Sequence, residues 1–199
     1  MRIIVTETKA YKFNELSEDA KEKAIQNLYD INVDYEWYEF EIDDFKEEIS
    51  KYGIDFDEKK VYFSLDRDNY LYFDKAWISD KKLLLKKLKK DWDIKSWDYK
   101  KVLKHIDEIE FTIDKNLYGG SSGRNNVNID DYSEANKLNL FISDYLIKYG
   151  DIDNWFYTEI TQELKVRLNK SYDYLTSEES IIETIETNDY EFTEEGELI

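Results

Sequence analysis
The chain has no cysteine and no proline in 199 residues, only six glycines and a single histidine. Without cysteine there is no disulfide scaffold, no thiolate zinc site and no cysteine nucleophile. One histidine rules out a histidine-rich zinc site. No run of apolar residues is long enough to span a bilayer, so no membrane association is expected. The start, Met1-Arg2-Ile3-Ile4-Val5-Thr6-Glu7, does not read as a signal peptide. Positive charge is also scarce, with 28 Lys and Arg against 46 Asp and Glu, a formal net charge of −18. Such a surplus argues against direct binding to phosphate backbones.

What is present argues for a packed core. Aromatics make up 16% of the chain, with 17 Tyr, 10 Phe and 5 Trp spread along its length. Disordered acidic chains lack them. The residues in surplus (Lys, Asn, Ile, Tyr, Asp) have AT-rich codons and the scarce ones GC-rich codons. The missing proline therefore reads as base composition, of an AT-rich bacterium or one of its viruses, rather than a structural demand.

Residues 2–13 alternate loosely and read as an edge or hairpin strand. Ser17 caps a helix whose buried face is Ala20, Ala24, Ile25 and Leu28. A second helix is predicted from Asp34 to Tyr52, ending at Gly53. Its apolar residues Tyr38, Ile42, Phe45, Ile49 and Tyr52 form one helical stripe. Strands follow at 60–66 and 69–74, joined by a turn at Arg67-Asp68-Asn69. Ser79 is the expected cap of a leucine-rich helix (Leu83, Leu84, Leu85, Leu88), and Ser96 that of a shorter one. Residues 108–114 and 127–131 alternate again. Helices are expected at 133–149 and 153–172, then a last one opened by a capping box at Thr176-Ser177-Glu178-Glu179. Residues 190–193 add a short strand. This order predicts one α+β domain over 1–199, with a small mixed or antiparallel sheet packed with several helices.

Little of this points to catalysis, so the chain is read as non-enzymatic, with no cofactor and no bound metal. His105 sits among lysines and reads as a surface or core-edge residue. Asp151-Ile152-Asp153-Asn154-Trp155 starts like a calcium loop but lacks the glycine and terminal glutamate of an EF-hand. The segment Tyr118-Gly119-Gly120-Ser121-Ser122-Gly123-Arg124-Asn125-Asn126 lacks the Lys-Ser/Thr of a phosphate loop. It reads as a hairpin loop, with a mobile contact loop presenting Tyr118 and Arg124 as its functional variant.

Charge is laid out unevenly. Residues 1–80 carry 11 basic and 21 acidic residues, residues 81–105 carry 10 and 3, and residues 106–199 carry 7 and 22. A basic island thus lies between two acidic arms. On the second helix, Glu36, Glu39, Asp43 and Glu47 fall opposite the apolar stripe, with Asp44 and Glu48 flanking it. The last helix repeats the pattern with Glu179, Glu183 and Glu186. Neighbours at these spacings are roughly 5–6 Å apart at Cβ, similar in size to the separation of phosphates along a nucleic-acid strand. Two readings stand. One is a solvated face that keeps the chain soluble. The other is a nucleic-acid-mimicking surface for the basic groove of a host nucleic-acid-binding protein. Residues 81–90 have alternatives too: pairing with the acidic arms, a homodimer contact, or, least in keeping with the net charge, direct contact with nucleic acid.

Three stretches carry a resemblance. They are residues 11–24 (YKFNELSEDAKEKA), 32–38 (NVDYEWY), and 174–177 (YLTS) with 183–192 (ETIETNDYEF). Together they resemble a family of uncharacterised acidic proteins encoded by phages and prophages, sometimes labelled antitoxin-like. The likeness covers both ends and is weaker over residues 60–130. It brings no catalytic residues. It implies a phage product in the host bacterial cytoplasm, where small acidic phage proteins include anti-CRISPR and anti-restriction inhibitors. The expected function is inhibition of a host defence system through residues Glu36, Glu39, Asp43, Asp44, Glu47, Glu179, Glu183 and Glu186. Two alternatives are an antitoxin that neutralises a partner toxin, and a metal-dependent enzyme on a nucleotide or other small ligand.

Overall fold
Helical stripes and short alternating segments assemble into an α+β fold in which every described strand pair is antiparallel. The computed structural model describes residues 1, 9–66, 69–118, 122–131 and 143–199. The order begins β1 (Tyr11–Lys12), α1 (Glu18–Asn27), α2 (Glu39–Ser50), β2 (Ile54–Phe56), β3 (Val61–Phe63), β4 (Leu71–Phe73) and β5 (Ala76–Ile78). It continues with α3 (Lys81–Asp91), α4 (Ser96–Lys104), β6 (Ile109–Leu117), β7 (Gly123–Asp131), α5 (Asp144–Ile147) and α6 (Ile152–Phe156). A single π-turn, Tyr157–Thr161, leads from α6 into α7 (Gln162–Leu175), followed by α8 (Glu178–Thr187) and β8 (Glu191–Phe192). Among the described residues no helix is long and apolar enough to cross a membrane.

The chain divides into two compact units, residues 1–38 with 170–199, and residues 39–169. In the first, β1 pairs with β8, Tyr11 opposite Phe192. Phe13, Leu16, Ala20, Ala24, Ile181, Ile185 and Phe192 form its core. Ser17 caps α1 as expected, its Oγ accepting from Ala20 N at 3.3 Å. Asn32 is buried and fully used: Nδ2 donates to Leu175 O and Ser180 Oγ, both at 3.1 Å, and Oδ1 accepts from the Thr184 hydroxyl at 2.8 Å. At α8 the cap is Ser177, which accepts from Ser180 N. The expected capping box does not form, because with Ser177 at the cap its reciprocal position falls on Ser180.

In the second unit Phe45, Phe56, Phe73 and Phe156 meet in sequence at ring separations of 6.4, 4.7 and 6.1 Å. Ile42, Phe45 and Ile49 are the buried face of α2. That helix starts at Glu39 rather than Asp34, because the chain bends at residues 34–35 and turns at 37–38 before it. Gly53 ends it with φ +74° and takes Ser79 N on its carbonyl at 2.8 Å. A Cβ there would lie 2.0 Å from Asp80 O, so this close approach requires glycine.

Several local expectations are corrected. Asp80, not Ser79, caps α3, accepting from Lys82 N and Leu83 N at 2.8 and 3.1 Å. Ser96 lies inside α4, whose cap position is Lys95, without a side-chain bond. Two strands, β2 and β5, escape the sequence reading and pair with each other. The hairpin β6–β7 extends to Gly123, so Gly123, Arg124, Asn125 and Asn126 belong to a strand rather than to the loop. The expectations on residues 2–8, on the turn at Arg67-Asp68, on Gly119-Gly120-Ser121 and on most of the helix at 133–149 lie outside the described residues.

Candidate functional site
On α2, burial of Ile42, Phe45 and Ile49 forces the carboxylates onto two separate rows. One faces α7. There Arg167 donates from Nε to Glu163 at 3.1 Å, from Nη1 to Asp44 at 3.4 Å and from Nη2 to Glu48 at 2.5 Å. Its guanidinium also lies over the Phe45 ring, 5.2 Å from the centroid. Partial burial disfavours the Arg167 charge, but its bonds to the Glu48 and Glu163 carboxylates outweigh that and raise its pKa. The other row, Glu39, Asp43 and Glu47, is exposed, and among the described residues none of the three has an ion pair. Asp44 is thus ion-paired while its side chain stays exposed. Glu36 is exposed but sits in the turns before α2, so it does not extend the helical row.

On α8, Ser180, Ile181 and Ile185 face the core. That leaves Glu179, Glu183 and Glu186 exposed and, among the described residues, without an ion pair. They belong with Glu36 to the first unit, and Glu39, Asp43, Asp44 and Glu47 to the second. The first unit holds 6 basic and 18 acidic residues, so 68 residues carry −12 of the total −18.

The basic island has its own pattern. Leu84, Leu85 and Leu88 are buried, while Leu83 is exposed at 37%. Lys87 pairs with Asp91 at 2.6 Å and lies over Tyr52, and Lys95 pairs with Asp93. Lys81 donates to the Ile109 carbonyl and Lys101 to the Tyr145 hydroxyl. Lys82, Lys86 and Lys90 are exposed and, among the described residues, without an ion pair.

The remaining candidates find structural work. His105 Nδ1 lies 2.7 Å from Glu108 Oε1 at the end of α4. Asp151 caps α6, accepting from Asp153 N and Asn154 N. Asp153 accepts from Arg124 and from Val127 N, at 3.0 and 2.8 Å, and so ties α6 to β7. Among the described residues no group of three or more His, Asp or Glu is placed to hold a metal ion. Sequence reasoning missed Arg167, whose Asp44 and Glu48 partners lie more than a hundred residues away. Comparison with known proteins finds no match, neither to a family model, nor to a curated protein, nor to a solved structure.

Proposed function
We propose that this chain is a phage-encoded, non-enzymatic inhibitor of a bacterial defence system, of the anti-CRISPR or anti-restriction kind. It docks its carboxylate rows into the basic groove of a host nucleic-acid-binding protein. The observation that carries the reading is the exposed row Glu39, Asp43 and Glu47, left without an ion pair among the described residues while its neighbours Asp44 and Glu48 are taken by Arg167. Unpaired carboxylates one helical turn apart repel by a few tenths of a kcal/mol per pair. A cationic groove relieves that repulsion and releases its own bound counterions. The α8 row Glu179, Glu183 and Glu186, in the more acidic unit, supports the same reading.

The test is affinity capture from a bacterial host at low and high salt, read by mass spectrometry. A nucleic-acid-binding protein should be retained at low salt and lost at high salt. Asp43→Lys with Glu47→Lys should abolish its capture while the variant stays folded. Capture that survives both high salt and charge reversal overturns the reading. A salt-resistant partner encoded beside this gene would instead favour an antitoxin.

A further inference from the structure
The second unit contains a cavity of about 290 Å³ walled by the ends of two hairpins and by the π-turn. Tyr70, Tyr118, Arg124, Tyr157, Thr161 and Lys165 are among its lining residues. Three features set it apart from an incidental surface dent.

The first is the helix itself. The five residues Tyr157–Thr161 form a π-turn between α6 and α7. Such single turns are unfavourable, and they are found frequently at functional sites. Tyr157, Thr161 and Lys165, four residues apart in sequence, all border the same cavity.

The second is an unspent hydroxyl. Thr161 is only 2% exposed, yet among the described residues its hydroxyl has no hydrogen-bond partner. Thr158, three residues earlier, bonds back to the Asn154 carbonyl at 2.9 Å, as helical threonines do. A buried hydroxyl left unpaired destabilises a fold, and native chains rarely keep one without reason.

The third is a cation without a carboxylate. Lys165 is half-buried, and its one hydrogen bond among the described residues is to the Asn69 carbonyl, at 2.6 Å. Burial lowers its pKa. Among the described residues no carboxylate pairs with this amine. Arg124, held by Asp153 and Asn126, adds a second cationic group already half neutralised.

We infer that this cavity is a binding site for a nucleoside monophosphate. The phosphate would meet Lys165 and Arg124, the base would pack on tyrosine rings, and the Thr161 hydroxyl would bond an edge of the ligand. The volume lies at the small end of ligand sites, which suits a mononucleotide rather than a longer chain. The site is independent of the acidic rows.

The test uses the full chain and ligand-observed NMR titration with AMP, CMP, GMP and UMP, and with adenosine and inorganic phosphate as separate arms. At least one monophosphate should bind saturably. Adenosine and phosphate alone should each bind about ten-fold more weakly or worse. Lys165→Met should weaken binding by about ten-fold or more at unchanged fold. Thr161→Val should weaken binding while raising the unfolding midpoint of the free protein by about 2 °C, because it removes an unpaired buried hydroxyl. No saturable binding of any monophosphate up to about 1 mM, or binding untouched by both substitutions, overturns the inference.

Discussion

Asn125 satisfies the whole peptide face of Phe73: Nδ2 donates to Phe73 O and Oδ1 accepts from Phe73 N, each at 2.8 Å. The side chain thus stands in for a strand, joining β7 to β4 where no ladder pairs them. Asn125 is 3% exposed and Phe73 1%, so water cannot replace it. Asn125→Ala strands a buried donor and a buried acceptor. The expected loss is about 2–4 kcal/mol in urea unfolding, with a smaller loss for a nearby surface asparagine such as Asn128.

Among the described residues Arg167 is the one cation paired with the three carboxylates Asp44, Glu48 and Glu163. Arg167→Met keeps the packing on Phe45 and removes the charge. Stability should fall by about 1–2 kcal/mol, and added salt should recover part of it. The same variant bares Asp44 and Glu48 beside the exposed row. If the α2 face docks to a basic groove, capture of the partner should become stronger.

Asp98 accepts from Lys148 at 2.7 Å and from the Tyr149 hydroxyl at 2.7 Å. Chiefly the Lys148 bond, then the Tyr149 bond, hold its carboxyl below the usual value of 3.8. The folded chain therefore binds this proton less readily than the unfolded one. Its contribution is complete above about pH 5 and is lost as pH falls through 4 towards the folded value. Asp98→Asn should be less stable than the parent at neutral pH, with the gap closing on acidification. Thermal unfolding from about pH 3 to pH 7 reads this directly; a gap constant across that range contradicts it.

The first unit carries 6 basic and 18 acidic residues, so self-repulsion acts against its folding. Raising NaCl from about 0.05 to 0.5 M should raise the unfolding midpoint. The same salt should weaken partner capture. Opposite responses to one variable separate folding from docking.

Some of the fold was legible because the signals are local. Ser17 caps α1 from three residues away, and the spacing of Ile42, Phe45 and Ile49 defines the buried face of α2. The hairpins β3–β4 and β6–β7 join neighbouring segments and show alternation. Strands β2 and β5 were not legible. Three residues are too few to show a period, and Ile54 pairs with Ile78 across the intervening β3–β4 hairpin. Tyr72 alternates with the apolar Leu71 and Phe73, yet it is as buried as they are, 5% exposed and stacked against Tyr62 and Tyr70. The cap of α3 is Asp80 rather than Ser79 because the Asp80 carboxylate is the group that reaches the Lys82 and Leu83 amides.

The sequence by itself determined the α+β class, the helical faces and the uneven charge, since propensity, period and composition act within a few turns of chain. Only the tertiary structure decided which carboxylates are spent. Asp44 and Asp43 are adjacent on one helix, yet Arg167 reaches the first and the second has no ion pair among the described residues. It also decided that Thr161 and Lys165 border the same cavity as Tyr70 and Tyr118. Ion pairing and cavities depend on distances between residues far apart in the chain, and those distances are set only when the core closes.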